Sequence, residues 1–130
     1  MFVFNVDDDS DDREIFLDAV NTVDPHITCV QVESGISALQ FLNRSDILPD
    51  YLFIDMNMPK MTGLECVENI RSVARFSSVQ IVMYSTTFSP KDETYLTKMG
   101  IKCLQKKSKL SDLVNSLEAI LLNKIPVLAE

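Results

Sequence analysis

Hydrophobic and polar positions alternate between two periods along this chain. Phe2 to Val6 is a short apolar run of β type, and it stops at the polar stretch Asp7 to Ser10. From Asp11 the apolar positions Ile15, Phe16, Ala19, Val20 and Val23 recur at helical spacing, and Pro25 closes that helix. Ile27 to Val32 predicts a second strand. Ser34 and Gly35 then lead into a helix carrying Ala38, Leu39, Phe41 and Leu42, and residues 46–50 connect it to the next run.

That run, Tyr51 to Ile54, has no helical period and reads as a strand buried on both faces, ending in the carboxylate of Asp55. Thr62 and Glu65 have the spacing of a capping box and open a helix whose face is Leu64, Val67, Ile70 and Val73. Val79 to Tyr84 is the fourth strand. Ser89 and Pro90 start a short helix, Gly100 ends it, and Ile101 stands where an apolar contact follows a glycine cap. A short strand, Lys102 to Gln105, precedes an amphipathic helix with Leu110, Leu113, Val114, Leu117, Ile120 and Leu121 on one side.

Strict alternation of five strands and five helices predicts an α/β domain with a parallel sheet covered by helices on both faces, because each right-handed crossover needs a helix. Ligands in such sheets collect at the carboxyl ends of the strands. The loops at that edge carry Asp7 and Asp8, Asp55, Ser85 and Lys106.

Composition narrows the class. The chain has 130 residues, 46% apolar and 24% charged, enough for one compact core. A net charge of -7 argues against a nucleic-acid partner, which needs a basic face. Cys29, Cys66 and Cys103 are widely spaced and odd in number, which suggests reduced, buried thiols without a disulfide framework or a zinc site. No signal-peptide pattern opens the sequence, and no apolar run has the length of a membrane span, so the expectation is a soluble, cytoplasmic protein.

Each residue at the sheet edge has a plain structural role open to it. Asp55 could open the turn before Pro59, the acidic run could cap a helix with Asp11 and Glu14 as its box, and Ser85 could make a turn. Together they suggest chemistry. Three carboxylates held within several Å repel by roughly a few kcal/mol per pair, so such a site favours a cation, and oxygen-only ligands point to Mg2+. A carboxylate is also a nucleophile toward a phosphoryl group, whose oxygens a hydroxyl and a lysine would neutralise.

The whole pattern resembles the receiver domain of bacterial two-component response regulators. Val6 with Asp7, Asp8 and Asp9 is similar to the family's acidic opening. Asp55, Met56, Asn57, Met58 and Pro59, followed by Met61 and Gly63, is similar to its phosphoacceptor loop. The resemblance implies a flavodoxin-like fold with strand order 2-1-3-4-5; that order is the family's, and the spacing of apolar residues alone leaves it open. It implies residues 1–124 as the domain and 125–130 as a short tail. Asp55 is implied as the phosphorylated residue, with Asp7, Asp8, Asp55 and Asn57 on Mg2+ and with Ser85 and Lys106 on the phosphoryl oxygens.

A sensor histidine kinase or histidine phosphotransfer protein is the implied donor, with no turnover enzyme activity beyond phosphorylation and dephosphorylation of Asp55. A downstream protein would read the face of the fourth helix, fifth strand and fifth helix, where Tyr84, Tyr95 and the cluster of Lys106, Lys107 and Lys109 are the residues to mutate. No output domain is expected in the chain, a homodimer is among the partners left open, and neither nucleic acid nor membrane is.

The chain departs from the family at several positions. Lys107 follows Lys106 where the family has a proline in a cis bond; a cis bond here would cost about 3 kcal/mol, which leaves cis or trans open and with it the aim of Lys106, and Lys107 is an alternative phosphoryl ligand. Cys103 occupies the aromatic switch position, and Thr86 a place that is often smaller, where its bulk would hinder the hydrolytic water. Two other functions compete: a degenerate receiver binding proteins without phosphorylation, and an aspartyl phosphohydrolase, which would need an aspartate where Asn57 stands. His26 reads as a turn or surface residue, and Met56, Met58 and Met61 as packing under the loop.

Overall fold

A computed structural model describes residues 1–123; the expected tail at 125–130 lies outside them. Five parallel strands form one sheet in the order β2-β1-β3-β4-β5: β1 Phe2–Val6, β2 Thr28–Val32, β3 Tyr51–Asp55, β4 Gln80–Ser85 and β5 Lys102–Gln105. The connecting helices are α1 Ser10–Val23, α2 Gly35–Arg44, α3 Gly63–Arg71 and α4 Pro90–Lys98, and α5 Leu110–Leu121 follows β5. The expected fold and strand order are those of the structure.

Alternation along the buried strands sorts the core into two layers. Phe4, Val6, Leu52, Ile54, Ile81 and Met83 point to one side, where Ala38 and Leu42 of α2, Cys66, Val67 and Ile70 of α3 and Leu96 of α4 cover them. Val3, Phe53, Val82 and Tyr84 point to the other, against Phe16, Ala19 and Val20 of α1 and Leu113, Leu117 and Leu121 of α5. Burying each such large side chain contributes about 1.5–3 kcal/mol. Because β2 and β3 lie on opposite sides of β1, the chain reverses direction across the sheet there, and the carboxyl ends of β1 and β3 stand side by side.

Local signals set most boundaries. Thr62 and Glu65 form a reciprocal capping box on α3, Ser34 and Ser89 cap α2 and α4, and Pro90 opens α4. Gly100 adopts φ 76°, and the Ile101 N–H returns to the Leu96 carbonyl at 2.9 Å, closing α4 with Ile101 buried.

Several expectations are corrected. Asp9, not Asp11, caps α1: one of its carboxylate oxygens accepts the N–H groups of Asp11 and Asp12 at 2.9 and 3.0 Å. Ile15, Val73 and Leu110 are exposed rather than on apolar faces. Val73 lies beyond α3, where the chain makes a short 3-10 turn, Ala74–Phe76, that the pattern does not suggest. The Arg71 guanidinium ties that turn down through the Phe76 and Val79 carbonyls at 3.1 and 2.7 Å.

Among the described residues the three cysteines are free; Cys66 is buried as expected, whereas Cys29 and Cys103 are only half-buried. The His26 side chain is in solvent against Asp24, Met56 and Met58 are buried, and Met61 is half-buried against the same core. No described helix is long and apolar enough to cross a membrane.

Candidate functional site

The site grows from the ends of β1 and β3. Asp7 follows the last residue of β1, and its N–H is tied to the Val32 carbonyl at 3.1 Å. Its carbonyl accepts from the Arg13 guanidinium at 2.7 Å, which fixes the turn into α1. Asp55 ends β3 in line with Tyr51 and Phe53. Beneath them the Gln31 amide donates to the Asn5 side-chain oxygen at 3.0 Å, and the Asn5 amide donates to the Phe53 carbonyl at 3.2 Å. This buried polar chain crosslinks three strands under the carboxylates.

The loop after Asp55 returns sharply. Gly63, the first residue of α3, donates its N–H to the Met56 carbonyl at 2.9 Å, and any Cβ at residue 63 would collide with the Asp55 carbonyl and the Met56 backbone. Only glycine permits that approach. Within the loop Lys60 holds φ 67°, a left-handed conformation uncommon for a side chain with a Cβ.

Asp7, Asp8 and Asp55 each bring one oxygen to within 4.8 Å of the others. Asp7 and Asp55 are 1% and 7% exposed, whereas Asp8 is open to solvent. Burial pushes the Asp55 carboxyl up to about 6; Asp7 and Asp8 push the same way, while Lys106 and a hydrogen bond from the Asn57 backbone oppose. Burial also holds Asp7 above the usual carboxylate range, against the Lys106 ammonium and the Asp9 N–H that donates to it at 3.0 Å.

Lys106 enters from the end of β5, where its N–H donates to the Ser85 carbonyl at 2.7 Å. Its ammonium donates to Asp7 Oδ2 and Asp12 Oδ2, both at 2.8 Å, and stands 3.6 Å from Asp55 Oδ1. Burial disfavours its charge, but the hydrogen bonds to Asp12 and Asp7 more than offset this, and its pKa lies above the usual lysine range. Ser85 is 1% exposed, and among the described residues its hydroxyl is the one buried side-chain polar atom without a partner. Such a group costs about 1–3 kcal/mol unless a ligand satisfies it.

One ammonium does not neutralise the carboxylates around it. The donor set is all oxygen, partly buried and partly open, which suits a hard divalent cation that keeps several waters. Asp7, Asp8 and Asp55 could hold it. Asn57 follows directly in the loop with its side chain exposed.

The expected residues of the sheet edge therefore meet, with some additions and reassignments. Asp12 reads in the sequence only as part of a capping acid run, yet its carboxylate binds Lys106. Its signal is a first-turn acid in the helix that starts over the site, opposite a lysine whose backbone does not aim it. Tyr84, expected on the partner-facing surface, is 3% exposed; its ring packs 5.9 Å from Phe16 and 5.3 Å from the Lys106 ammonium. The described peptide bonds include no cis bond, so the Lys106 to Lys107 peptide is trans. The Lys107 amine lies 3.4 Å from the Gln105 side chain, and Cys103 packs half-buried beside the core.

The model of the response regulator receiver domain family matches residues 3–118. This chain belongs to that family. The receiver is 28% identical over 96 residues to a chemotaxis protein CheY homolog of Campylobacter jejuni, covering 74% of this chain and 72% of the relative. It is 27% identical over 99 residues to the sensor histidine kinase CheAY of Helicobacter pylori, 76% of this chain but only 12% of that protein. Among solved structures, the Mn2+-bound response regulator Rcp1 superposes with a TM-score of 0.82 at 21% identity, covering 98% of this chain and 99% of that one, which shows the shared fold. The receiver is thus a two-component signalling domain, like the chemotaxis proteins it resembles.

Proposed function

We propose that this receiver accepts a phosphoryl group from a phosphohistidine donor onto Asp55, with Mg2+ bound by Asp7, Asp8, Asp55 and the Asn57 carbonyl. The observation that carries the reading is the partnerless, buried Ser85 hydroxyl at the same sheet edge as the Asp55, Asp7 and Lys106 cluster. A bound Mg2+ would offset carboxylate repulsion and neutralise phosphoryl charge. An Asp55 oxygen attacks phosphorus, the phosphorus–nitrogen bond breaks, and the departing imidazole takes up a proton. Ser85 donates to one phosphoryl oxygen and Lys106 pairs with another.

The donor is a sensor histidine kinase or a histidine phosphotransfer protein in the cytoplasm. The similarity to CheAY, named as a sensor histidine kinase, supports a pairing of that kind. Phosphorylation adds nearly two negative charges to a site already rich in them. The drawn-in Ser85 and Lys106 then shift the α4, β5 and α5 face, where Tyr95, Lys107 and Lys109 are exposed to a downstream protein or a second copy of the chain.

The test is intact-protein mass spectrometry after incubation with a small phosphodonor, with and without Mg2+, on the parent and Asp55→Asn. A Mg2+-dependent, hydroxylamine-labile adduct absent from the variant supports the reading. No adduct with the small donor or with a panel of phosphorylated kinases leaves a phosphorylation-independent binding module.

A further inference from the structure

Nothing in the backbone aims the Lys106 ammonium. Its N–H is anchored to Ser85, but the next peptide is trans and regular structure resumes only at Leu110. Between those points a flexible four-carbon stem must place a charge inside a half-buried pocket. Side-chain partners therefore set its position.

The partners are unequal. Asp7 belongs to the carboxylate cluster that a cation would occupy, and its other oxygen already accepts the Asp9 N–H. Asp55 is the more distant contact at 3.6 Å. Asp12 is in neither position: it lies outside the cluster, 37% exposed, with its backbone fixed by the Asp9 cap and its carboxylate 2.8 Å from the ammonium. Helix α1 supplies a second support, since Phe16 packs against the Tyr84 ring that lies 5.3 Å from the same ammonium.

We propose that Asp12 is a positioning residue for Lys106, holding the ammonium at the mouth of the Asp55 pocket when Asp7 is engaged elsewhere. Its part in phosphoryl transfer rests on the phosphoacceptor reading above; the contact itself does not. Asp12 takes the place of backbone constraint.

The experiment is competitive acylation of lysines in the intact chain, in EDTA and without phosphodonor, read by peptide mass spectrometry with exposed Lys107 as internal standard. Asp12→Asn is expected to raise Lys106 labelling relative to Lys107 by about fivefold, the size of one partly exposed ion pair. Asp11→Asn, in the same helical turn without contact to Lys106, should leave the ratio unchanged. An unchanged ratio in Asp12→Asn, or an equal rise in Asp11→Asn, overturns the proposal. Where an adduct forms, Asp12→Asn should slow transfer from a small donor in the parent and not in a Lys106→Met background; equal slowing in both overturns action through Lys106. Because labelling needs no phosphorylation, failure of the phosphoacceptor reading leaves this test intact.

Discussion

The Lys106 ammonium stands 3.6 Å from Oδ1 of Asp55, near enough to act on its charge and too far for a good hydrogen bond. The relationship is electrostatic, and it lowers an Asp55 pKa that burial has pushed up to about 6. Lys106→Met should therefore raise that pKa further. Carboxyl NMR titration in EDTA reads it directly, and an unmoved midpoint would show that the ammonium does not act on Asp55.

The raised Asp55 pKa is also a stability statement. The unfolded chain loses this proton near 3.8 and the folded chain near 6, so the folded state binds more protons between those values and loses stability as pH rises through them. Without divalent cation, Asp55→Asn should stabilise the fold at pH 7.5 by about 1–3 kcal/mol, with the gain shrinking toward zero by about pH 4. Urea denaturation at the two pH values checks this; a gain independent of pH would contradict it.

Ser85→Ala separates the resting state from the reaction. Removing a buried hydroxyl without a partner should leave stability unchanged or raise it by about 1 kcal/mol. On the proposed phosphoacceptor reading, in which Ser85 donates to the transferred group, phosphoryl transfer should instead fall by about tenfold or more. Thermal melts and adduct formation rates on one preparation show both. A clear loss of stability would mean that the hydroxyl is satisfied in the resting protein.

Gly63→Ala places a methyl group against the Asp55 carbonyl and Met56. The backbone there must give, so the variant should lose about 1–3 kcal/mol and, on the proposed Mg2+ site, bind Mg2+ more weakly as Asp55 shifts. Denaturation and metal titration followed by NMR would read the two effects.

Thr86 is exposed directly after Ser85. If its bulk hinders the hydrolytic water, Thr86→Ala should shorten the life of the phosphoryl adduct. Time-resolved mass spectrometry after donor removal measures this, and an equal or longer lifetime would end the idea.

Much of the fold is legible in the sequence because its signals are local. A capping box such as Thr62 with Glu65, a proline at the start of α4 and a glycine after its end act within a single turn of chain. The residues at the carboxyl edge follow from the same logic, since strand ends are where such sheets place their ligands. The start of α1 is not legible in this way, because Asp9 and Asp11 are both acceptable caps by residue type. Nor is the burial of Tyr84, because an apolar run such as Ile81 to Tyr84 does not reveal which helix covers each side of it.

By itself the sequence determined the alternation of strands and helices, and with it which residues stand at one edge of the sheet; both depend on period and chain order. Only the tertiary structure decided that Lys106 would lie between Asp7 and Asp12, that Tyr84 would lie beneath its ammonium, and that the Ser85 hydroxyl would be buried without a partner. Those relations join residues tens of positions apart through side-chain torsions and burial, and neither is encoded in the spacing of apolar residues.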